Sequence, residues 1–209
     1  MAMRVTLRPL TPERWPDLEA VFNARGCSVA RGCWCMYYRR SGERAAAPPA
    51  GMTRRECNRR DLRRLAGADP PAGLIGYRGA IPVGWVSLGP RADYRKLERS
   101  FVMKAVDDKP VWSIICFVVP AQFRRTGVAK ELLRGAIAYA RRRGVRLIEA
   151  YPVARRGRSR DDALWFGTKS MFDAAGFEVV ARRKPARPVM RLALSASGPS
   201  RSGRRARSS

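Results

Sequence analysis

The chain has 209 residues, enough for a sizeable core, and its 45% hydrophobic content excludes wholesale disorder. Forty-three basic residues, 37 of them arginine, face 17 acidic ones for a net charge of +26, a surface that attracts polyanions. Histidine is absent, which removes every Ser-His, Cys-His and His-metal mechanism, and no apolar run reaches the ~20 residues of a membrane span.

Arg4–Leu10 alternates weakly and predicts a first strand. Thr11-Pro12 has the form of an N-cap followed by proline, and Trp15, Leu18, Val21 and Phe22 then make an apolar stripe. Residues 26–39, GCSVARGCWCMYYR, combine cysteines with aromatics. Cys27, Cys33 and Cys35, with Cys57, lack the paired C-x₂₋₄-C spacing of structural zinc, so a buried thiol cluster and no metal is the expectation. Trp34, Tyr37 and Tyr38 read either as core or as the wall of a small-molecule pocket. Ser41–Gly51 is a loop. Thr53 to Glu56 is a capping box that opens a helix over 53–66, its arginines solvated or lying over apolar neighbours. Pro71–Arg78 and Ile81–Pro90 flank Gly79-Ala80 as a hairpin. Arg91–Lys109 is a charged connection, either a cover for a site or inert.

Val111–Val153 is the most informative stretch. VWSIICFVV predicts a strand buried on both faces, ended by Pro120. Ala129, Leu132, Leu133, Ala136, Ile137 and Ala140 share one face of the helix that follows, with Gly144 at its C-terminus. RLIEAYPV is then a second strand, parallel to the first. The turn between strand and helix, Arg124-Arg125-Thr126-Gly127-Val128-Ala129-Lys130, has the makings of an anion site: bare N–H groups, a glycine and basic side chains. It is neither a P-loop nor a G-x-G-x-x-G turn, and an ordinary turn with solvated arginines is the competing reading. Glu149 is the one acid in a predicted interior strand, placed where the parallel strands end; it serves as a base or pairs with an arginine. Thr168 caps a short helix stopped by Gly176. Phe177–Arg183 and Pro188–Leu194 close the sheet, and Ser195–Ser209 is a basic Ser/Arg tail without apolar residues larger than alanine, expected to be disordered. Five cysteines without a secretory leader point to a reducing cytoplasm.

A buried strand, R-R-x-G-x-A opening a helix, a strand, and a short helix ending Phe172-Asp-Ala-Ala-Gly176-Phe177 resemble the GNAT superfamily of acetyl-CoA-dependent N-acyltransferases over roughly Arg4 to Leu194. The resemblance implies an α/β domain over residues 1–194: one mixed, mostly antiparallel sheet of six to seven strands around a parallel strand–helix–strand crossover. It implies acetyl-CoA as co-substrate, its diphosphate on residues 124–130 and its arm along the main chain of Phe117, Val118 and Val119, with Phe172 nearby. It implies transfer to a primary amine, on a small molecule or a protein lysine, lined by Trp34 and Tyr37. The Phe117 or Val118 N–H polarises the acyl carbonyl, Glu149 is the base, and either Tyr151 or no residue at all takes the part of the tyrosine that the family carries where Phe172 stands, since a thiolate departs without full protonation. Two further readings remain: a non-catalytic acyl-CoA-binding domain and, less expected because the arginines are dispersed, a nucleic-acid-binding protein. A monomer or homodimer fits either enzyme or sensor.

Overall fold

The computed structural model describes residues 4–40, 47–154 and 165–195. The loop expected at 41–51, the charged loop at 154–163 and the tail from 195 lie wholly or largely outside them.

Seven strands form one sheet: β1 (Thr6–Pro9), β2 (Leu74–Arg78), β3 (Ile81–Pro90), β4 (Trp112–Val118), β5 (Leu147–Ala150), β6 (Glu178–Ala181) and β7 (Val189–Ala193). Their order is β1-β2-β3-β4-β5-β7-β6. Among the strands of the described residues only β4 and β5 pair in parallel. The hairpin at Gly79-Ala80 forms as expected, with Gly79 at φ 60°, the positive value that a II′ turn requires there.

Strand alternation sorts the core into two faces. On β2, Leu74 points to one hydrophobic cluster and Ile75 and Tyr77 to the other. Helix α4 (Val128–Arg142) covers the first face with Leu132, Leu133, Ala136 and Ala140 fully buried. It lies close because the sheet beneath is glycine: a Cβ on Gly76 or Gly84 would stand 2.6 or 2.9 Å from Leu132 methyls. Truncating Leu132 to alanine should therefore cost about 2–5 kcal/mol of stability, readable by denaturant titration.

Helices α1 (Trp15–Asn23), α2 (Ser28–Cys33) and α3 (Arg54–Arg64) cover the other face. A 3₁₀ turn, Pro12–Arg14, precedes α1, and Thr11 makes no side-chain cap. The capping box on α3 is present in full, Thr53 Oγ1 accepting from the Glu56 N–H and Glu56 accepting from the Thr53 N–H. Arg59 pairs with Glu19 while Arg59 and Arg63 lie over the Trp15 ring, so this arginine face serves as both ion-pair partner and apolar cover. The short α2 escaped the sequence reading.

Two irregularities position the site. Ser87 pairs with Cys116 but Leu88 with Ile114, so Ile115 is a bulge in β4. β5 accompanies β4 only as far as Ile114↔Ala150, after which β4 continues to Val118 paired on its β3 side only. The parallel pair therefore opens at its carboxyl ends, as a ligand crevice in such a sheet requires.

The Arg91–Lys109 connection is tied down. Arg183 donates to the carbonyls of Val102, Lys104 and Ala105, Arg91 to that of Met103, and Arg191 pairs with Asp107.

Candidate active site

A cleft of about 810 Å³ lies where the two strands part. Its floor is the end of β4 and the residue after it, Ile115 to Val119. One end is the turn into α4, and the sides come from Gly26–Tyr38 and from Trp165–Met171.

The α4 end is built from backbone. Gly127 is the N-cap at φ 84°, in the left-handed region, and makes no side-chain cap. The first helical bond runs from the Glu131 N–H to the Gly127 carbonyl at 3.1 Å. The amides of residues 128–130 are thus the ones a helix leaves without internal partners. Nothing lies within 4 Å of the place a Gly127 Cβ would take. Glu131, which would repel an anion, faces away and accepts from the Val5 N–H at 2.6 Å. Gly127, Val128, Ala129, Lys130 and Arg125 all line the cleft, as the sequence leads one to expect. Arg124 also borders it, but as a strut: its Nε donates to Val119 O at 3.1 Å and its Nη2 to Gly26 O at 2.5 Å. Thr126 turns its hydroxyl onto Phe123 O.

The floor departs from expectation. Phe117 N–H, directed into the gap, already donates to Trp165 O at 2.6 Å. Alternation turns the Val118 groups toward β3, where its carbonyl abuts Gly84. Neither is the open donor anticipated for an acyl carbonyl.

Four residues expected at the site lie elsewhere. Trp34 is 0% exposed, stacked between Trp15 and Phe22, because Trp34 and Cys35 adopt left-handed backbone and reverse the chain after α2. Glu149 is also 0% exposed. Its two oxygens accept from Arg191 Nε at 2.8 Å, Arg91 Nη1 at 3.1 Å and the Tyr151 hydroxyl at 2.5 Å. A carboxylate so saturated, and off the cleft, is no base for an entering amine; the arginine-paired reading is the correct one. Tyr151 is fully buried in the same network, bonded also to Ser113 and Arg91. Burial, together with the adjacent Glu149 charge, holds its hydroxyl far above the usual tyrosine range, and Tyr151 is not among the residues that line the cleft. Phe172 does not line the opening either: it is buried against Phe117 and Phe177, beneath the floor.

Tyr37 does line the cleft, 55% exposed. Its neighbour Tyr38, which the sequence placed in the same aromatic run without singling it out, lines it too. Burial pushes the Tyr38 hydroxyl up to about 12, so it keeps its proton. Asn58 donating to Gly32 O, and Arg40 donating to Asn58 and Asp61, fasten this wall to α3. Cys27, Cys33, Cys35 and Cys116 also face the cleft. Burial and the adjacent Cys35 put Cys33 at about 11; the Cys35 hydrogen bond and burial raise Cys116 further. Burial raises Cys27 as well, so Cys27, Cys33 and Cys116 are neutral thiols and poor nucleophiles. Among the described residues no cluster of three His, Cys, Asp or Glu could hold a metal, and no helix could cross a membrane.

Raised values in the folded state mean that folding favours the protonated forms of Cys33 and Tyr38. Their contribution to stability is whole below about pH 9, the ordinary thiol value, and is lost as pH climbs through 11 and 12. Thermal melts between pH 8 and 12 should fall steadily across that window, and maleimide labelling of Cys33 should be slow at pH 7 and faster by about tenfold per pH unit.

An open sheet with a splayed parallel pair and an uncapped helix terminus at its mouth offers a place for an anionic ligand. The family model for the acetyltransferase (GNAT) family matches residues 35–159, and the chain belongs to that family. Solved structures agree in fold. The GNAT domain of S. lividans PAT superposes with TM-score 0.53 at 17% identity, covering 93% of this chain and 95% of that one. The PaiA N-acetyltransferase of Thermoplasma acidophilum, in complex with coenzyme A, gives 0.51 at 15%, covering 91% and 99%. An acetyltransferase of Thermus thermophilus gives 0.50 at 19%, covering 92% and 99%. No curated protein matches the sequence.

Proposed function

We propose that this acetyltransferase moves an acetyl group from acetyl-CoA to a primary amine by direct attack, within a single domain. The observation that carries the reading is the uncapped N-terminus of α4 opening into the cleft. The residues present suit a diphosphate: amides of 128–130, the space above Gly127, and the Arg125 and Lys130 charges. Bound there, acetyl-CoA supplies the activated acyl thioester.

No carboxylate and no histidine line the cleft among the described residues. The amine must nevertheless be neutral to attack. Nearby cations disfavour an ammonium and so lower the acceptor's own pKa, leaving its last proton to water. Cys27, Cys33 and Cys116, held protonated, do not compete as nucleophiles. Tyr38, which carries a proton at all physiological pH values, is the donor to the departing thiolate, in place of Phe172. A thiolate departs without full protonation, so Tyr38→Phe should lower kcat by about tenfold and leave CoA affinity unchanged.

The test is calorimetric titration with acetyl-CoA, followed by release of free CoA thiol on adding amines. Binding with turnover supports the enzyme. Binding without turnover on any amine favours a sensor, a reading to which the occupied Phe117 N–H lends weight. Absence of binding removes both.

A further inference from the structure

The opening between β4 and the chain that leaves β5 is bridged by the protein itself. Past Ile114 the inner edge of β4 no longer has β5 beside it, and residues 165–169 run there instead. On one side the Phe117 N–H donates to Trp165 O at 2.6 Å. On the other, Val153 N–H donates to Gly167 O and Lys169 N–H to Val153 O, both at 2.9 Å, in a parallel bridge between Val153 and Thr168. Trp165, Gly167 and Thr168 all line the cleft.

The bond to Phe117 depends on a local distortion. Along an extended strand, carbonyls two residues apart point the same way. Trp165 O and Gly167 O point to opposite neighbours, and Gly167 sits at φ 76°, in the left-handed region that glycine adopts freely. A Cβ there would stand 2.6 Å from Met171 Cε and 3.0 Å from Phe172 Cε2. The residues around it are well held. Phe166 is buried, its ring edge-on to Tyr38 at 5.6 Å, and the Thr168 hydroxyl caps helix α5 (Lys169–Asp173) by accepting from the Met171 N–H. Trp165, by contrast, is 37% exposed, so turning its peptide group gives up little buried surface.

We infer that Trp165–Gly167 is an autoinhibitory latch on the floor of the cleft: Trp165 O occupies the Phe117 N–H that a carbonyl of the acyl-coenzyme arm needs, and its peptide group turns away before the arm lies along β4. This rests on the acetyl-CoA reading above and adds to it a gated entry step. The Gly127 end of the cleft is clear of the latch. A ligand with a diphosphate but no arm therefore binds the closed form, whereas full seating of acetyl-CoA needs the open one. One hydrogen bond holds the latch, so the closed form is favoured about two- to tenfold, and acetyl-CoA affinity is lowered by a similar factor.

The test labels the seven phenylalanines with ¹⁵N and assigns Phe117 by the signal lost in Phe117→Leu. Calorimetry first establishes acetyl-CoA binding. ADP, a diphosphate without the arm, should leave the Phe117 amide signal in place, and acetyl-CoA should move it. In stopped-flow mixing, the ADP rate should rise linearly with concentration, while the acetyl-CoA rate should level off at the rate of latch opening. Gly167→Ala disfavours the left-handed backbone and so frees Phe117. Its plateau should be about two- to tenfold higher, with acetyl-CoA affinity equal to wild type or tighter, the reverse of a change at Gly127. The wild-type measurements stand alone if Gly167→Ala does not fold. Absence of acetyl-CoA binding overturns the cofactor reading and the latch with it. Binding that leaves the Phe117 signal unmoved, a signal moved equally by ADP, or an acetyl-CoA rate that stays linear overturns the latch alone and makes residues 165–169 a fixed part of the sheet. So does a folded Gly167→Ala protein that binds acetyl-CoA more slowly than wild type.

Discussion

Gly127→Val is expected to weaken acetyl-CoA binding by at least about thirtyfold, roughly 2 kcal/mol, while the protein remains folded. Gly127 holds φ 84°, a conformation in which a β-branched residue is a strong outlier, costing about 1–2 kcal/mol. That strain alone would lower Tm by a few degrees in a chain this size. The affinity loss has a separate origin. Space above the Gly127 Cα holds no protein atom within 4 Å, so the valine side chain would clash with nothing in the fold and would fill the volume offered to the anion. Gly127→Asn separates the two effects, since asparagine tolerates left-handed backbone and should recover much of the Tm but little of the affinity. Isothermal titration and a melt on the same samples check both. Wild-type affinity in the valine variant would sink the phosphate-loop assignment.

Gly127 was legible in the sequence because every clue to it is local. A buried strand, a glycine and an amphipathic helix follow each other within about 35 residues, and an uncapped helix start depends only on what precedes it. The hairpin at Gly79 and the capping box at Thr53 were legible for the same reason. What sequence could not supply was register between distant strands and the path of a chain through left-handed non-glycine residues. Trp34 and Cys35 take φ 49° and 51° with no glycine to announce it, and that reversal sends Trp34 into the core and Tyr37 and Tyr38 into the cleft. Trp165 reaching back to Phe117 is another such event, between positions far apart in the chain with nothing local to mark it. Glu149 shows the limit most clearly. That a buried acid is paired or functional follows from burial; which of the two depends on Arg191 arriving across from β7, in register, and on Arg91 turning in from the end of β3.

The second large effect concerns that acid. Glu149→Gln should destabilise the protein by about 3–5 kcal/mol, because it leaves the buried guanidinium of Arg191 and the largely buried one of Arg91 facing a neutral amide. For a domain of this length the loss corresponds to a Tm lower by about 10 °C. Asp107, on the outer side of Arg191 at 2.7 Å, offsets part of it. The turnover number of the folded fraction should stay within about threefold of wild type, since no atom of Glu149 faces the cleft. A base would show the reverse: a Tm near wild type and kcat down by about a hundredfold or more. A second substitution decides whether charge is the cause. If an unpaired Arg191 is what destabilises Glu149→Gln, then adding Arg191→Met should cost less than the sum of the two single changes, because the orphaned cation is removed along with its partner. Strict additivity in that cycle would mean that the carboxylate acts through packing or through Tyr151, and the ion-pair account of the network would have to be given up.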